Sequence, residues 1–161
     1  MLKKSISIIL LIGFLSIVSA NLFAKETAVP APAPGGSPVD LSGTWNFQTS
    51  DFKEYGECLK GTPYSGKLTI AQKDPKHLTM VMESGPTVCS PAAACSFRGV
   101  LKDNEAKFFN TVPAEGQAGT LMNTIDLKIL SNNSAGGEVR NIQQFIGGAM
   151  CEWVHQIQLT R

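Results

Sequence analysis

The sequence predicts an all-β fold, an antiparallel up-and-down β-barrel of about eight strands. Three observations carry this. From about Leu41 onward, apolar and polar residues alternate in short runs rich in β-branched and aromatic side chains. Outside the leading apolar segment, no stretch has the spacing of an amphipathic helix. The links between the runs alternate between tight polar turns and long loops, as in a meander with one plain end and one elaborated end.

The chain opens with Lys3 and Lys4, followed by an uncharged apolar run from Ile6 to Val18. Two small-residue cleavage sites follow, Val18-Ser19-Ala20 and Leu22-Phe23-Ala24. This is the pattern of a secretory signal peptide over residues 1–24, with Ala24 preferred over Ala20 as the last residue removed. The apolar run is shorter than the roughly 20 residues that span a bilayer, so stable membrane insertion is not expected. Residues 25–40, KETAVPAPAPGGSPVD, are rich in Pro, Ala and Gly. They have too little apolar surface to fold and read as a disordered, semi-extended linker. The barrel domain is expected over residues 41–161.

In the first strand Leu41, Trp45 and Phe47 face one side, with Thr44, Asn46 and Gln48 opposite. Leu68, Ile70 and Gln72 mark the second strand, and Leu78, Met80 and Met82 the third. The fourth alternates Phe97, Gly99 and Leu101 with Arg98, Val100 and Lys102. The fifth sets Ala106, Phe108 and Asn110 on one face, and the sixth Asn123, Ile125, Leu127 and Ile129. The seventh, Val139 to Ile146, has competing faces because Ile142 conflicts with Val139 and Phe145. In the eighth, Trp153, His155, Ile157 and Leu159 alternate with Val154, Gln156 and Gln158.

Lys73-Asp74-Pro75-Lys76 and Lys102-Asp103-Asn104-Glu105 read as tight turns, and SNNSAGG at residues 131–137 as a longer one. Ser50 to Tyr64, Gly85 to Ala94 and Pro113 to Gly119 read as long loops at the opposite end. All four cysteines fall at that end: Cys58 in the first link, Cys89 and Cys95 around the third, Cys151 in the seventh. An even count in an exported chain reads as two disulfides, because the spacings lack the close pairs of a zinc site. If the sheet closes, the first and seventh links are neighbours. Cys58–Cys151 and Cys89–Cys95 are then the expected pairs among three possible connectivities. A two-sheet sandwich would show the same strand alternation, but the regular order of short and long links favours the barrel.

Gly43-Thr44-Trp45 on the first strand, together with Arg161 after the last, resembles the lipocalin and calycin barrels. The resemblance implies that Trp45 lies across the closed end, that Gly43 lets the chain turn into the floor, and that Arg161 packs over the indole. These three are structural barrel-closure residues and imply no ligand. The chain is also similar to periplasmic protease inhibitors built on such a barrel. That resemblance implies an N-terminal segment inserted into a hydrolase cleft, as an alternative to small-molecule binding.

The residues show no catalytic pattern: no nucleophile elbow, no phosphate loop, no histidine–carboxylate cluster. No enzyme activity, no metal and no cofactor are expected. His77 follows a turn at the closed end and should be solvated. His155 should point inward, its ring satisfied by Asn or Gln neighbours. Gln72, Asn110 and Asn123 are the other polar positions on inward rows. The candidate ligand-binding set is Tyr55, Tyr64, Asn123, Trp153 and His155, with Met80 and Met82 as adaptable apolar lining. Without Lys3 and Lys4 the chain has 12 basic against 13 acidic side chains, a formal charge of −1, which argues against nucleic acid as a partner. The sequence therefore describes an exported protein, periplasmic or extracellular, and a monomer. Its expected partner is a small hydrophobic molecule or an envelope or secreted protein.

Overall fold

A computed structural model of the chain describes residues 39–85, 92–113 and 119–161. The predicted leader, all of the linker but Val39 and Asp40, and Cys89 lie outside these residues. The strands are β1 (Gly43–Gly56), β2 (Ser65–Gln72), β3 (His77–Ser84), β4 (Ser96–Lys102), β5 (Glu105–Pro113), β6 (Gly119–Ser131), β7 (Ser134–Phe145) and β8 (Met150–Thr160). One turn of 3-10 helix, Ala92–Cys95, precedes β4. Each strand pairs antiparallel with the next, and β8 pairs with β1. The barrel is closed, as the alternation of links predicted, and closure leaves no unpaired sheet edge.

The period-two patterning decides what fills the interior. Trp45, Leu68, Ile70, Met80, Phe108, Ile125, Ile157 and Leu159 are all at most 2% exposed. They belong to one cluster with Leu41, Leu78, Leu101 and Leu127. At the floor the Arg161 guanidinium lies 4.2 Å from the centre of the Trp45 ring. Arg161 Nη2 donates to the carbonyls of Asp40 and Ser42, and the indole Nε1–H donates to the Leu41 carbonyl at 2.9 Å. Gly43 has φ +126°, and a Cβ there would meet nothing within 4 Å. Its requirement is backbone conformation, since L side chains rarely adopt this region, and not shortage of room.

Three local expectations differ from the structure. The first strand continues to Gly56 through a bulge between Ser50 and Lys53, where Asp51 takes φ 54°. The bulge adds one residue opposite β8 and reverses which side chains face inward. Between β6 and β7 the link is only Asn132-Asn133, because Ser131 already pairs with Ser134. Ser134-Ala135-Gly136-Gly137 is therefore strand and not loop. Cys151 lies on β8 itself, opposite Gly56. Its sulfur bonds that of Cys58 across the β1–β8 seam, with the Cα atoms 5.0 Å apart. Cys95 is also disulfide-bonded; its expected partner, Cys89, is among the residues not described.

Candidate functional site

Two tiers of inward side chains meet in the upper barrel. Strand register sets Phe108, Ile125, Val139 and His155 opposite one another across β5, β6, β7 and β8. One step nearer the mouth, the same register aligns Asn110, Asn123, Asn141 and Trp153. The lower tier is apolar but for its last member, and the upper tier is polar but for the indole carbon frame.

The upper tier is a directed chain of amides. Asn141 Nδ2 donates to Asn123 Oδ1 at 2.6 Å, and Asn123 Nδ2 donates to Asn110 Oδ1 at 2.6 Å. Asn110 Nδ2 in turn faces the carbonyls of Ala93, Ala94 and Ser96. Three carbonyl acceptors fix the orientation of Asn110, which fixes Asn123 and then Asn141. The 4% exposed Asn123 thus has both its nitrogen and its oxygen engaged, while Asn141 Oδ1 is left as the terminal acceptor of the ladder.

Above these tiers lies a cavity of about 390 Å³. Met82, Phe97, Leu121, Ile125 and Val139 form its apolar wall, and Asn123, Asn141 and His155 supply polar atoms. Phe52, Gly61, Tyr64 and Trp153 close in from the mouth. The link 57–64 is pinned there. Trp153 Nε1–H donates to the Leu59 carbonyl at 2.8 Å, and Gly61 N–H donates to Glu54 Oε1 at 2.7 Å. The buried Thr49 hydroxyl accepts from Tyr64 N–H and lies 3.1 Å from the Tyr64 carbonyl. Gly61 is glycine because a Cβ would fall 2.2 Å from the Phe52 ring.

His155 is the chemical exception in this site. Its ring is 1% exposed, stacks on Phe52 at 4.2 Å with an interplanar angle of 10°, and lies 6.0 Å from Tyr64. Neither Nδ1 nor Nε2 has a hydrogen-bond partner. This corrects the expectation of an imidazole satisfied by Asn or Gln: the amides bond along their own tier, and Val139 is the cross-strand neighbour. Burial pushes the imidazole pKa down from its ordinary 6.5 to about 4, so the ring is neutral at pH 7.

That depression sets a pH dependence. The unfolded chain takes up its proton near pH 6.5, whereas the folded chain resists protonation down to about 4. The contribution to stability is complete above pH 6.5, declines as pH falls to about 4, and amounts to about 3 kcal/mol over that window. Urea unfolding of the wild type and His155→Phe at pH 7.5, 5.5 and 4 isolates it, because other titrating groups are common to both. Parallel losses in the two proteins would mean that the ring titrates alike folded and unfolded.

Of the sequence-predicted binding residues, Tyr64, Asn123, Trp153 and His155 line this cavity and Tyr55 does not. The β1 bulge puts Tyr55, 52% exposed, in an outer groove with Arg140 and Glu152. The sequence reading missed Phe52 and Asn141. Phe52 carries no signal apart from the bulge, but Asn141 follows from the Asn132-Asn133 turn, which phases Ala135, Gly137, Val139 and Asn141 inward. Gln72 lies at the floor, where its side-chain oxygen accepts from Leu41 N–H. His77 is exposed and pairs with Asp74 at 2.8 Å. Met80 is core and Met82 is cavity wall. Among the described residues no group of three His, Cys, Asp or Glu is placed to hold a metal ion, and no helix is long and apolar enough to cross a membrane. No protein-family model and no curated protein matches the chain.

Proposed function

We propose that this is an exported, non-enzymatic binding protein of lipocalin-like type, holding a small apolar or amphipathic molecule in the mouth cavity. The observation that carries the reading is the division of the interior. The floor is filled by Trp45 and its neighbours, while about 390 Å³ remains open under the Cys58-bearing link. Mostly apolar walls with a few placed polar atoms are the usual composition of a small-molecule site. The Trp45–Arg161 pair at the closed end and the G-x-W start support the lipocalin-like assignment, and the inter-strand disulfide supports export. A non-catalytic role is supported by the state of His155, whose ring has no carboxylate or hydroxyl bonded to it and so lacks the oriented partner that general base catalysis uses.

Naphthalene, a rigid apolar probe of suitable size, should shift the amide resonances of Leu121, Val139 and the Trp153 indole in NMR titrations of the mature protein. Leu121→Trp, which places an indole in the cavity from a half-buried rim position, should weaken that binding at least tenfold while the fold persists. A wild-type protein whose cavity resonances do not respond to saturating naphthalene would remove the basis for a carrier role.

A further inference from the structure

The deeper polar atoms of the cavity say what kind of molecule fits, on the premise that the cavity is the binding site proposed above. A neutral imidazole offers one donor and one acceptor, and both nitrogens of His155 are buried without partners. The amide ladder adds Asn141 Oδ1, an acceptor left over by the direction of its own hydrogen bonds. On the inner face Asn141 stands opposite Trp153, and His155 is two residues further along the same strand. Such diagonal neighbours are within reach of one small polar group between them.

Among the described residues no charged side chain lies at this depth. Among the described residues that line the cavity, Lys60 is the one Lys, Arg, Asp or Glu, and it is exposed in the link over the mouth. Glu54, an acidic side chain beside the roof, is engaged by Gly61 N–H. A charged head group entering as far as His155 would lose its hydration and meet no counter-charge, a strongly unfavourable exchange. An uncharged group that both donates and accepts would bond two protein groups at once, accepting from the imidazole N–H and donating to Asn141 Oδ1.

We propose that the cavity selects molecules with an apolar body of modest size and a single uncharged donor–acceptor head, a hydroxyl or a carboxamide, seated between His155 and Asn141. At roughly 30 Å³ per water-sized group, the space takes about a dozen non-hydrogen atoms. The lowered pKa of His155 agrees with this, because it keeps the ring in its donor-plus-acceptor form at neutral pH.

The test is a matched series of head groups at pH 7.5, titrated into the mature protein and read at the His155, Asn141 side-chain and Trp153 resonances. The series comprises 1-octanol, octanamide, octanoate and octylammonium, with naphthalene as the headless control. 1-Octanol and octanamide should bind about tenfold more tightly than the two ions, the equivalent of one good hydrogen bond. In His155→Phe, which keeps a ring of similar size against Phe52, the affinities of 1-octanol and octanamide should fall about tenfold while naphthalene binds as before. A preference below about threefold in the wild type overturns the proposal, as does unchanged octanol affinity in the variant. The wild-type series decides the matter even if the variant does not fold. If naphthalene also fails to bind, the binding function itself falls; if naphthalene binds without head-group preference, only the selectivity falls.

Discussion

Replacing Trp45 with alanine is expected to cost about 3–5 kcal/mol of folding stability, the largest effect of any single substitution in the barrel. The indole has no solvent exposure, and its removal leaves a void in the floor that the surrounding core closes only in part. Two further losses follow. The Leu41 carbonyl loses the indole Nε1–H as its donor, and the Arg161 guanidinium loses the ring on which it rests. By comparison, Arg161→Ala removes an exposed side chain and should cost about 0.5–1 kcal/mol. Urea denaturation of both variants provides the check. Equal and small losses would mean that the floor is held by the apolar cluster around Leu68 and Leu159, with the indole replaceable.

Removing the Cys58–Cys151 bridge by alanine at both positions is the second large effect. The bonded residues are 93 apart in sequence, and closing a loop of that length constrains the denatured chain by roughly 4–5 kcal/mol in the chain-entropy account. The β1–β8 ladder remains in the variant, so the barrel should still close, with a lower midpoint in urea. The link 57–64 would then be held to the roof without a covalent bond, by hydrogen bonds that include those of Glu57, Leu59, Gly61 and Tyr64, and naphthalene should dissociate faster from the cavity. A loss of less than about 1 kcal/mol would show that the unfolded chain is already compact near this seam. Peptide mapping without reduction establishes the bridge in the parent protein.

Much of this architecture can be read from residue order because the determining signals are local and repeated. In β4 and β6 the alternation is uninterrupted, and there the inward rows Phe97–Leu101 and Asn123–Ile129 need no tertiary information. The seam disulfide follows from link order, since closure makes the first and last connections adjacent. What escapes is phase. A single extra residue at Asp51 reverses the faces of β1 beyond Thr49, so Tyr55 moves outside and Phe52 takes the inward place. No side-chain pattern in Ser50-Asp51-Phe52 announces a bulge, because the cause is a positive φ at Asp51 that only pairing with β8 imposes. In β7 the error has another origin. Gly136 and Gly137 look like turn chemistry, yet both are strand residues: at Gly137 the Asp126 carbonyl comes too close for a Cβ, and at Gly136 a Cβ would meet the side-chain amide of Gln158.

The cavity was legible in part of its membership and not in its bonding. Asn123 and His155 are visible as polar intrusions in apolar rows, but which polar group satisfies which depends on cross-strand alignment. Alignment ties Asn123 to Asn110 and Asn141 and leaves His155 opposite Val139. The histidine is left out because it belongs to the neighbouring tier, a relation no single strand contains.

The Asp40 carbonyl and the Arg161 side chain are in hydrogen-bond contact at the floor, and Arg161 N–H also reaches the Asn133 carbonyl in the turn after β6. Because every strand has two partners, the ring of eight has no intrinsic first member. The same ladder could be written as a circular permutant, spliced across that floor contact and cut between Asn132 and Asn133. It would then begin at β7 and finish at β6 with every pairing intact, so the order of synthesis and the order around the ring are separable properties of this molecule.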